Sequence, residues 1–269
     1  MNHDAFIRRE ESGIPYYACR ALENISGLHH GFSTRHSGVG HGVESSLDLG
    51  QSPRDASKST CDYRRRFLSA LHLDNMNLAT LRQVHSDRFI IIKEKGHQGN
   101  PPAGDALVTR VKEIALAVMV ADCLPILVVD PVSKVIAAIH AGWRGILARI
   151  AEETIAEMMR SFGAKESNLV VALGPGIRSC CFEVGRDVVE MFEKTFSGES
   201  FAKPHPDHPA KWLMDLRAAL DVQFRGSGIH KKNIHDLEAC TCCNTKEFFS
   251  HRAEGARTGR MMAVIAMDS

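Results

Sequence analysis

The sequence lacks a charge excess of either sign. Its 269 residues carry 33 Lys and Arg against 32 Asp and Glu, which leaves a formal net charge of +1. Proteins that bind the nucleic-acid backbone usually present a clustered basic surface. The balanced charge therefore predicts no nucleic-acid partner and favours a small or neutral ligand.

Long apolar runs are also missing. The longest, residues 114–129, is interrupted by Asp122 and Pro125, and it is shorter than the roughly 20 residues that cross a bilayer. Residues 1–13 carry charges of both signs and no apolar stretch of the kind found in secretory signal peptides. These absences predict no membrane contact and a cytoplasmic location.

Cysteine is scarce for a disulfide scaffold, with eight in the whole chain. In a reducing compartment these thiols would fill the core, bind metal or take part in catalysis. The run Cys240-Thr241-Cys242-Cys243 does not match a zinc-knuckle spacing, so we expect it to be mostly core. Cys180 and Cys181 are interpreted as strand residues that point to opposite faces, which would prevent them from sharing one ion.

Strand-like and helix-like segments alternate irregularly along the chain. Strands are predicted over 78–84, 88–93, 114–121, 125–129, 135–140, 169–173 and 261–267, and helices over 146 to about 161, 186–196 and from Leu213 through Phe224, with Gly226 as the stop. Hairpins and crossovers both occur in this order. The pattern predicts an α+β fold, a mixed sandwich that forms one domain over residues 1–269.

Polar clusters stand where predicted strands give way to loops: residues 82–87, 121–125, 140–145, and 249–252 followed by 259–260. Three of them offer one good metal ligand each, namely His85, Cys123 and His140. Two imidazoles and one thiolate suit zinc, and three protein ligands leave one position open, as in catalytic zinc sites. The same ligand set also accepts copper.

Each candidate also has a simpler interpretation. Cys123 taken alone is a small buried residue, and His85 taken alone is a surface imidazole. Arg144 follows a glycine turn and precedes a helix, where a phosphate or carboxylate would be stabilised. Arg35 and Arg252 could equally be exposed ion-pair residues.

The order of these clusters resembles one known family over nearly the whole chain. The motifs that carry the resemblance are His30-Gly31-Phe32-Ser33-Thr34-Arg35, Ser46-Leu47-Asp48-Leu49-Gly50, the three ligand clusters, Gly174-Pro175-Gly176-Ile177, Cys180-Cys181-Phe182-Glu183-Val184-Gly185, Cys240-Thr241, and Phe248 to Arg252. They are similar to the YfiH-like family, variously called multicopper polyphenol oxidase, laccase-domain or purine nucleoside phosphorylase proteins. The sequence departs from the family pattern at Asp48 and His251, where the family usually has Asn and Tyr.

The resemblance implies a four-layer α-β-β-α sandwich with mixed sheets, and zinc held by His85, Cys123 and His140. It also implies phosphorolysis of adenosine, inosine and methylthioadenosine, together with deamination of adenosine. Purine nucleoside and phosphate are then the expected partners of a monomer or small homo-oligomer. For phosphorolysis we hypothesise that Arg35, Arg144 and Arg252 offset the phosphate charge, while Asp122 or Glu183 protonates the departing base.

Three alternatives remain at this point. Cys123 as nucleophile and His140 as base would make a cysteine-type amide hydrolase that edits peptidoglycan precursors. A copper-dependent polyphenol oxidase ranks lower, because a multicopper centre draws on paired histidines and the chain has no His-x-His pair. The last alternative is a binding or scaffold protein with a vestigial site.

Overall fold

The computed structural model describes residues 5–37, 46–50, 58–94 and 100–268. In these ranges the strands are β1 Phe6–Glu11, β2 Ile14–Cys19, β3 Leu28–Ser33, β4 Asn77–Ala79, β5 Phe89–Ile92, β6 Ala106–Thr109, β7 Ile114–Val120, β8 Leu124–Asp130, β9 Val135–Ala141, β10 Val170–Leu173, β11 Glu183–Val184, β12 Ala202–Pro204, β13 Trp212–Met214, β14 Ile234–Asp236 and β15 Met261–Met267. The helices are α1 Arg20–Glu23, α2 Lys58–Ala70, α3 Trp143–Leu147, α4 Ile150–Phe162, α5 Arg186–Thr195, α6 Leu216–Gly226 and α7 His251–Glu254, with a 3-10 turn at Lys231–Asn233. None of these helices is both long enough and apolar enough to span a membrane.

Most strands belong to two six-stranded sheets. The first sheet has the order β1-β2-β3-β15-β7-β4, and the second has the order β14-β10-β8-β9-β6-β5. Each contains antiparallel pairs together with parallel ones, such as β4 with β7 in the first sheet and β5 with β6 in the second. The predicted mixed sheets are therefore confirmed.

Residue alternation along β7 explains why the two sheets stack. Successive side chains on a strand point to opposite faces. Leu116 and Val118 accordingly lie in the apolar layer between the sheets, while Ala115 and Ala117 face helix α2 on the outside. One face of the first sheet therefore packs against the second sheet, and its other face packs against helix α2.

The second sheet is covered on its outer face by helices. Ile126 and Val128 of β8 pack in one cluster with Met158 of α4, Phe192 of α5 and Phe224 of α6. The layer order is therefore helix, sheet, sheet, helices. This confirms the predicted four-layer α-β-β-α sandwich.

Two predicted helix boundaries were wrong. The segment expected as one helix from residue 146 is two helices, α3 and α4, because Arg149 between them adopts a left-handed φ of 65°. Leu213 belongs to strand β13 and not to the helix that follows. The side chain of Asp215 accepts a hydrogen bond from the Ala218 amide at 3.0 Å and caps α6 there.

The first predicted strand, over 78–84, is also shorter than expected. It is hydrogen-bonded as a strand only at Asn77–Ala79. Further along, the side chain of Gln83 replaces the backbone: its amide donates to the Met119 carbonyl at 2.7 Å and accepts from the Met119 amide at 2.8 Å. The backbone beyond β4 pairs elsewhere, because Arg82 forms an isolated parallel bridge with Ala103.

His30 in β3 links fold stability to pH. Its Nε2 accepts a hydrogen bond from the Cys19 amide at 2.8 Å, and burial lowers the pKa of His30 to about 4. Between a pH of 6.5 and a pH of about 4, His30 binds a proton in the unfolded chain but not in the native chain. Acidification over this range therefore favours unfolding. We expect this difference to remove about 2 kcal/mol of stability between pH 7 and pH 5.

Urea unfolding of His30→Gln at both pH values tests this expectation, because glutamine can accept the same hydrogen bond without titrating. The loss of stability on acidification should be about 2 kcal/mol smaller than in the wild type. His208→Gln, at an exposed site, should keep the wild-type loss. An unchanged acid loss in His30→Gln would contradict the assignment.

Candidate functional site

A cavity of about 950 Å³ opens beside the ends of β7, β8 and β9, and its wall contains His85, Cys123 and His140. Their ligand atoms all lie within 4.8 Å of one another. Cys123 Sγ is 3.9 Å from His85 Nε2, and the two imidazole rings lie edge to face with centroids 4.9 Å apart. The structure therefore brings together three side chains that stand far apart in the sequence, in an arrangement that could hold one metal ion.

Sheet topology positions two of these side chains. Cys123 lies where the chain passes from β7 in the first sheet to β8 in the second. The β8–β9 hairpin pairs Pro125 with His140, so Cys123 and His140 meet at one end of it. Asp122 turns the chain with a left-handed φ of 86°, a conformation that is costly for a residue other than glycine unless its surroundings hold it.

The side chain of Asp105 positions both the loop that carries His85 and the ring of His140. Its fully buried carboxylate accepts hydrogen bonds from the backbone amides of Val84, His85 and Ser86, with shortest distances of 3.1, 2.9 and 2.7 Å. It also accepts from His140 Nδ1 at 2.9 Å, which leaves His140 Nε2 for a metal. These contacts hold His85 at its left-handed φ of 59°. A carboxylate that orients a histidine ligand in this way is typical of metal sites.

Burial disfavours the charged form of Asp105, but hydrogen bonds from His140 and Ser86 outweigh it and hold its pKa at about 2. Burial likewise opposes ionisation of Cys123, yet His140 and His85 lower the pKa of that thiol to about 6. Cys123 and Asp105 in turn raise the pKa of His140 to about 9, against the effect of its burial. Without metal, Cys123 and His140 therefore form a thiolate–imidazolium pair at neutral pH.

Asp122 lines the cavity, but its carboxylate is engaged within the protein. One oxygen accepts from Thr241 Oγ1 and the other from the Arg252 amide, both at 2.6 Å. The Arg252 guanidinium then donates to the carbonyls of Cys181 at 3.3 Å and Glu183 at 3.0 Å. Asp122 thus ties the segment that carries Arg252 to the turn that carries Cys123.

Two of the three predicted phosphate contacts lie elsewhere. Arg35 donates to Glu254 Oε1 at 2.8 Å and lies over the Phe249 ring, and Arg144 lies over the Trp143 ring 4.3 Å from its centroid. Within the described residues neither arginine lines the cavity. The arginines that do line it are Arg64, Arg82, Arg252 and Arg260. Glu183, the alternative acid, is also absent from the described part of the cavity wall and pairs with Lys211 at 3.5 Å.

Asp105 and Arg64 were missed in the sequence. One signal was available for Asp105, an acidic residue that follows Gly104 and directly precedes the wholly apolar start of β6. An aspartate there must be hydrogen-bonded within the protein, because burying an unpaired carboxylate is costly. For Arg64 no local pattern distinguishes it from its neighbours Arg65 and Arg66 on α2.

The fold and the site together define a class: a four-layer protein with two imidazoles and one thiolate gathered in the wall of an open cavity. Residues 29–268 match the family described as multi-copper polyphenol oxidoreductase laccase. The chain belongs to this laccase-like family, which confirms the family predicted from its motifs.

Two relatives carry names that refer to purine nucleosides. The chain is 34% identical over 239 residues to a purine nucleoside phosphorylase from Deinococcus radiodurans, covering 88% of both chains. It is 33% identical to adenosine deaminase RL5 from an unknown prokaryotic organism, covering 88% of this chain and 93% of that one. The fold is similar to the crystal structure of YlmD from Geobacillus stearothermophilus, with a TM-score of 0.87 at 29% identity over 98% of this chain and all of that one.

Proposed function

We propose that this chain is a zinc-dependent purine nucleoside enzyme. It cleaves adenosine, inosine and methylthioadenosine with phosphate, releasing the base and ribose 1-phosphate or its methylthio analogue, and it also deaminates adenosine. The observation that carries the proposal is a single cavity wall that combines the group His85, Cys123 and His140 with four arginines. The names of the relatives agree with this chemistry.

The ligand set fits zinc, with nitrogen donors from His85 and His140 and a sulfur donor from Cys123. Asp105 prevents His140 Nδ1 from competing, because that atom already donates to its carboxylate. When bound, zinc supplies a Lewis acid for polarising an oxygen or activating water. The same residues would also accept one copper ion, but the described chain places no fourth histidine within 4.8 Å of all three, as a multicopper oxidase centre would need.

The remaining wall suits a nucleoside and a phosphate. Met119, Ile177 and Phe182 present apolar surface that would bury the faces of a purine. Arg252, together with the other cavity arginines, would bind phosphate and offset its charge as it attacks C1′ of the ribose. Asp122 acts by positioning Arg252 and Thr241, since both of its carboxylate oxygens already accept hydrogen bonds from them.

We propose the cytoplasm as the compartment, because all eight cysteines are free and a reducing environment would keep them so. The enzyme would act there as a monomer or small homo-oligomer on diffusible substrates.

The test is product analysis with each of the three nucleosides in turn, before and after removal of metal. Base release should require phosphate, stop after chelation and return when zinc is added. Adenosine should also yield inosine without phosphate. Zinc-loaded protein that leaves all three nucleosides unchanged would refute the proposal.

A cysteine-type amide hydrolase is the second candidate, favoured by the Cys123 sulfur lying within 4.8 Å of the His140 imidazole nitrogen, a proximity that also lowers the pKa of the thiol. Alkylation followed by mass spectrometry separates the two functions. Under the zinc proposal Cys123 is protected in protein as purified and becomes reactive only after chelation. Exposed Cys61 on α2 is the internal control and should be labelled in both states. Rapid labelling of Cys123 in untreated protein would favour the hydrolase.

A further inference from the structure

Four cysteine sulfurs converge at a second place in the molecule, away from the group of His85, Cys123 and His140. Cys180 and Cys181 come from the turn that precedes β11, and Cys240 and Cys243 come from the turn that follows β14. All four sulfurs lie within 4.8 Å of one another, and none is in a disulfide. Cys243 Sγ is 3.5 Å from Cys180 Sγ and 3.3 Å from Cys181 Sγ.

We propose that these four cysteines bind one zinc ion as a tetrathiolate site. Zinc–sulfur bonds of about 2.3 Å in a tetrahedron place the sulfurs about 3.8 Å apart. The two shortest separations, 3.3 and 3.5 Å, are slightly below that value, and all four sulfurs lie within 4.8 Å of one another. An iron–sulfur cluster would hold its ligands further apart, because several metal ions lie between them.

The backbone holds the two turns together without help from the sulfurs. Gly176 and Cys240 form a parallel bridge, in which the Gly176 amide donates to the Ala239 carbonyl and the Thr241 amide to the Gly176 carbonyl, each at 3.2 Å. The site is therefore organised before an ion arrives.

The sequence interpretation of these cysteines has to be corrected. Cys240 and Cys243 are separated by two residues, which is a usual zinc-ligand spacing once Cys242 is set aside. Cys180 and Cys181 lie in a turn and not in a strand, so both sulfurs can face the same point. A single disulfide would need only two of these four sulfurs and would give no reason for the others to converge.

This zinc ion would anchor part of the cavity wall. Phe182, which lines the cavity, directly follows Cys181, and the Cys181 carbonyl accepts from Arg252 at 3.3 Å. A tetrathiolate ion would fix the turn before Phe182 against the turn after β14. Its four protein ligands leave no open position, which indicates a structural role. The thiol protons released on binding pass to solvent.

The first experiment is zinc analysis and native mass spectrometry of four proteins purified under reducing conditions. We expect two zinc ions per wild-type chain and two in Cys61→Ser. We expect one in Cys123→Ser and one in the double variant Cys240→Ser/Cys243→Ser. Because Cys123→Ser reports on the cavity group alone, loss of that site and loss of the cysteine site are distinguishable. The cysteine site is refuted if the double variant holds as much zinc as the wild type.

A second measurement does not depend on folding of the double variant. Cys180 and Cys243 are exposed, so in wild-type protein they should become accessible to an alkylating reagent once no ion holds them. We expect protection of Cys180 and Cys243 before chelation and labelling after it, with Cys61 labelled throughout. The proposal would be overturned if Cys180 and Cys243 were labelled as fast as Cys61 before chelation. A disulfide between Cys180 and Cys243 in protein purified under reducing conditions would also overturn it.

Discussion

Asp105→Asn is expected to lower the zinc affinity of the cavity group by 10- to 100-fold and to destabilise the metal-free protein by about 3 kcal/mol. The carboxylate accepts hydrogen bonds from three successive amides and from His140 Nδ1. Asparagine has one acceptor oxygen, and its NH₂ group would face donors. Some amides would therefore lose their partners, and His85 and His140 would lose the orientation that brings them to one point.

The two effects are measured separately, by competition with a chromophoric chelator and by urea unfolding in excess chelator. Asp130→Asn is the matched control, because Asp130 is also fully buried and accepts from the amides of Val132, Ser133 and Lys165 at 2.8 to 3.0 Å. It should lose stability but keep its zinc affinity. If Asp105→Asn bound zinc as tightly as Asp130→Asn, the orienting role of Asp105 would be wrong.

Gly174→Ala is expected to destabilise the protein by about 3 kcal/mol, because it introduces a methyl group where the segment after β10 packs directly against Phe32 of β3. A Cβ at residue 174 would lie 2.2, 2.5 and 2.9 Å from three atoms of the Phe32 ring. Phe32 is 1% exposed and has no space to move into. Gly174 cannot retreat either, because its amide donates to the Pro125 carbonyl at 3.0 Å.

Thermal and urea unfolding test this expectation against two further variants. Gly226→Ala, in the last turn of α6, has its nearest neighbouring atom 3.5 Å away and should be as stable as the wild type or slightly more so. Adding Phe32→Leu to Gly174→Ala should recover part of the lost stability, since the smaller side chain makes room. If Gly174→Ala were as stable as Gly226→Ala, the contact between residue 174 and the Phe32 ring would not be as close as described.

Much of the fold could be predicted, since its signal is local. The runs in β7, β8, β9 and β15 are apolar enough to identify buried strands, and all four are observed. The errors lay at the ends of elements. The side chain of Gln83 pairs with the Met119 backbone beyond the end of β4, the backbone at Arg149 is left-handed between α3 and α4, and the side chain of Asp215 caps α6 after Leu213.

The sequence by itself determined the kind of chemistry available, because the ligand types of His85, Cys123 and His140 and the apolar periodicity of the strands can be read along the chain. Only the tertiary structure decided which charged residues reach the cavity, bringing Arg64 and Arg82 to its wall and leaving Arg35 bound to Glu254. It also placed the Asp105 carboxylate within hydrogen-bonding distance of the His85 amide and of His140 Nδ1. The four cysteine sulfurs were likewise brought together only by the fold. The physical reason is that hydrogen bonds and metal ligation act over a few ångströms in space, and separation along the chain does not determine that distance.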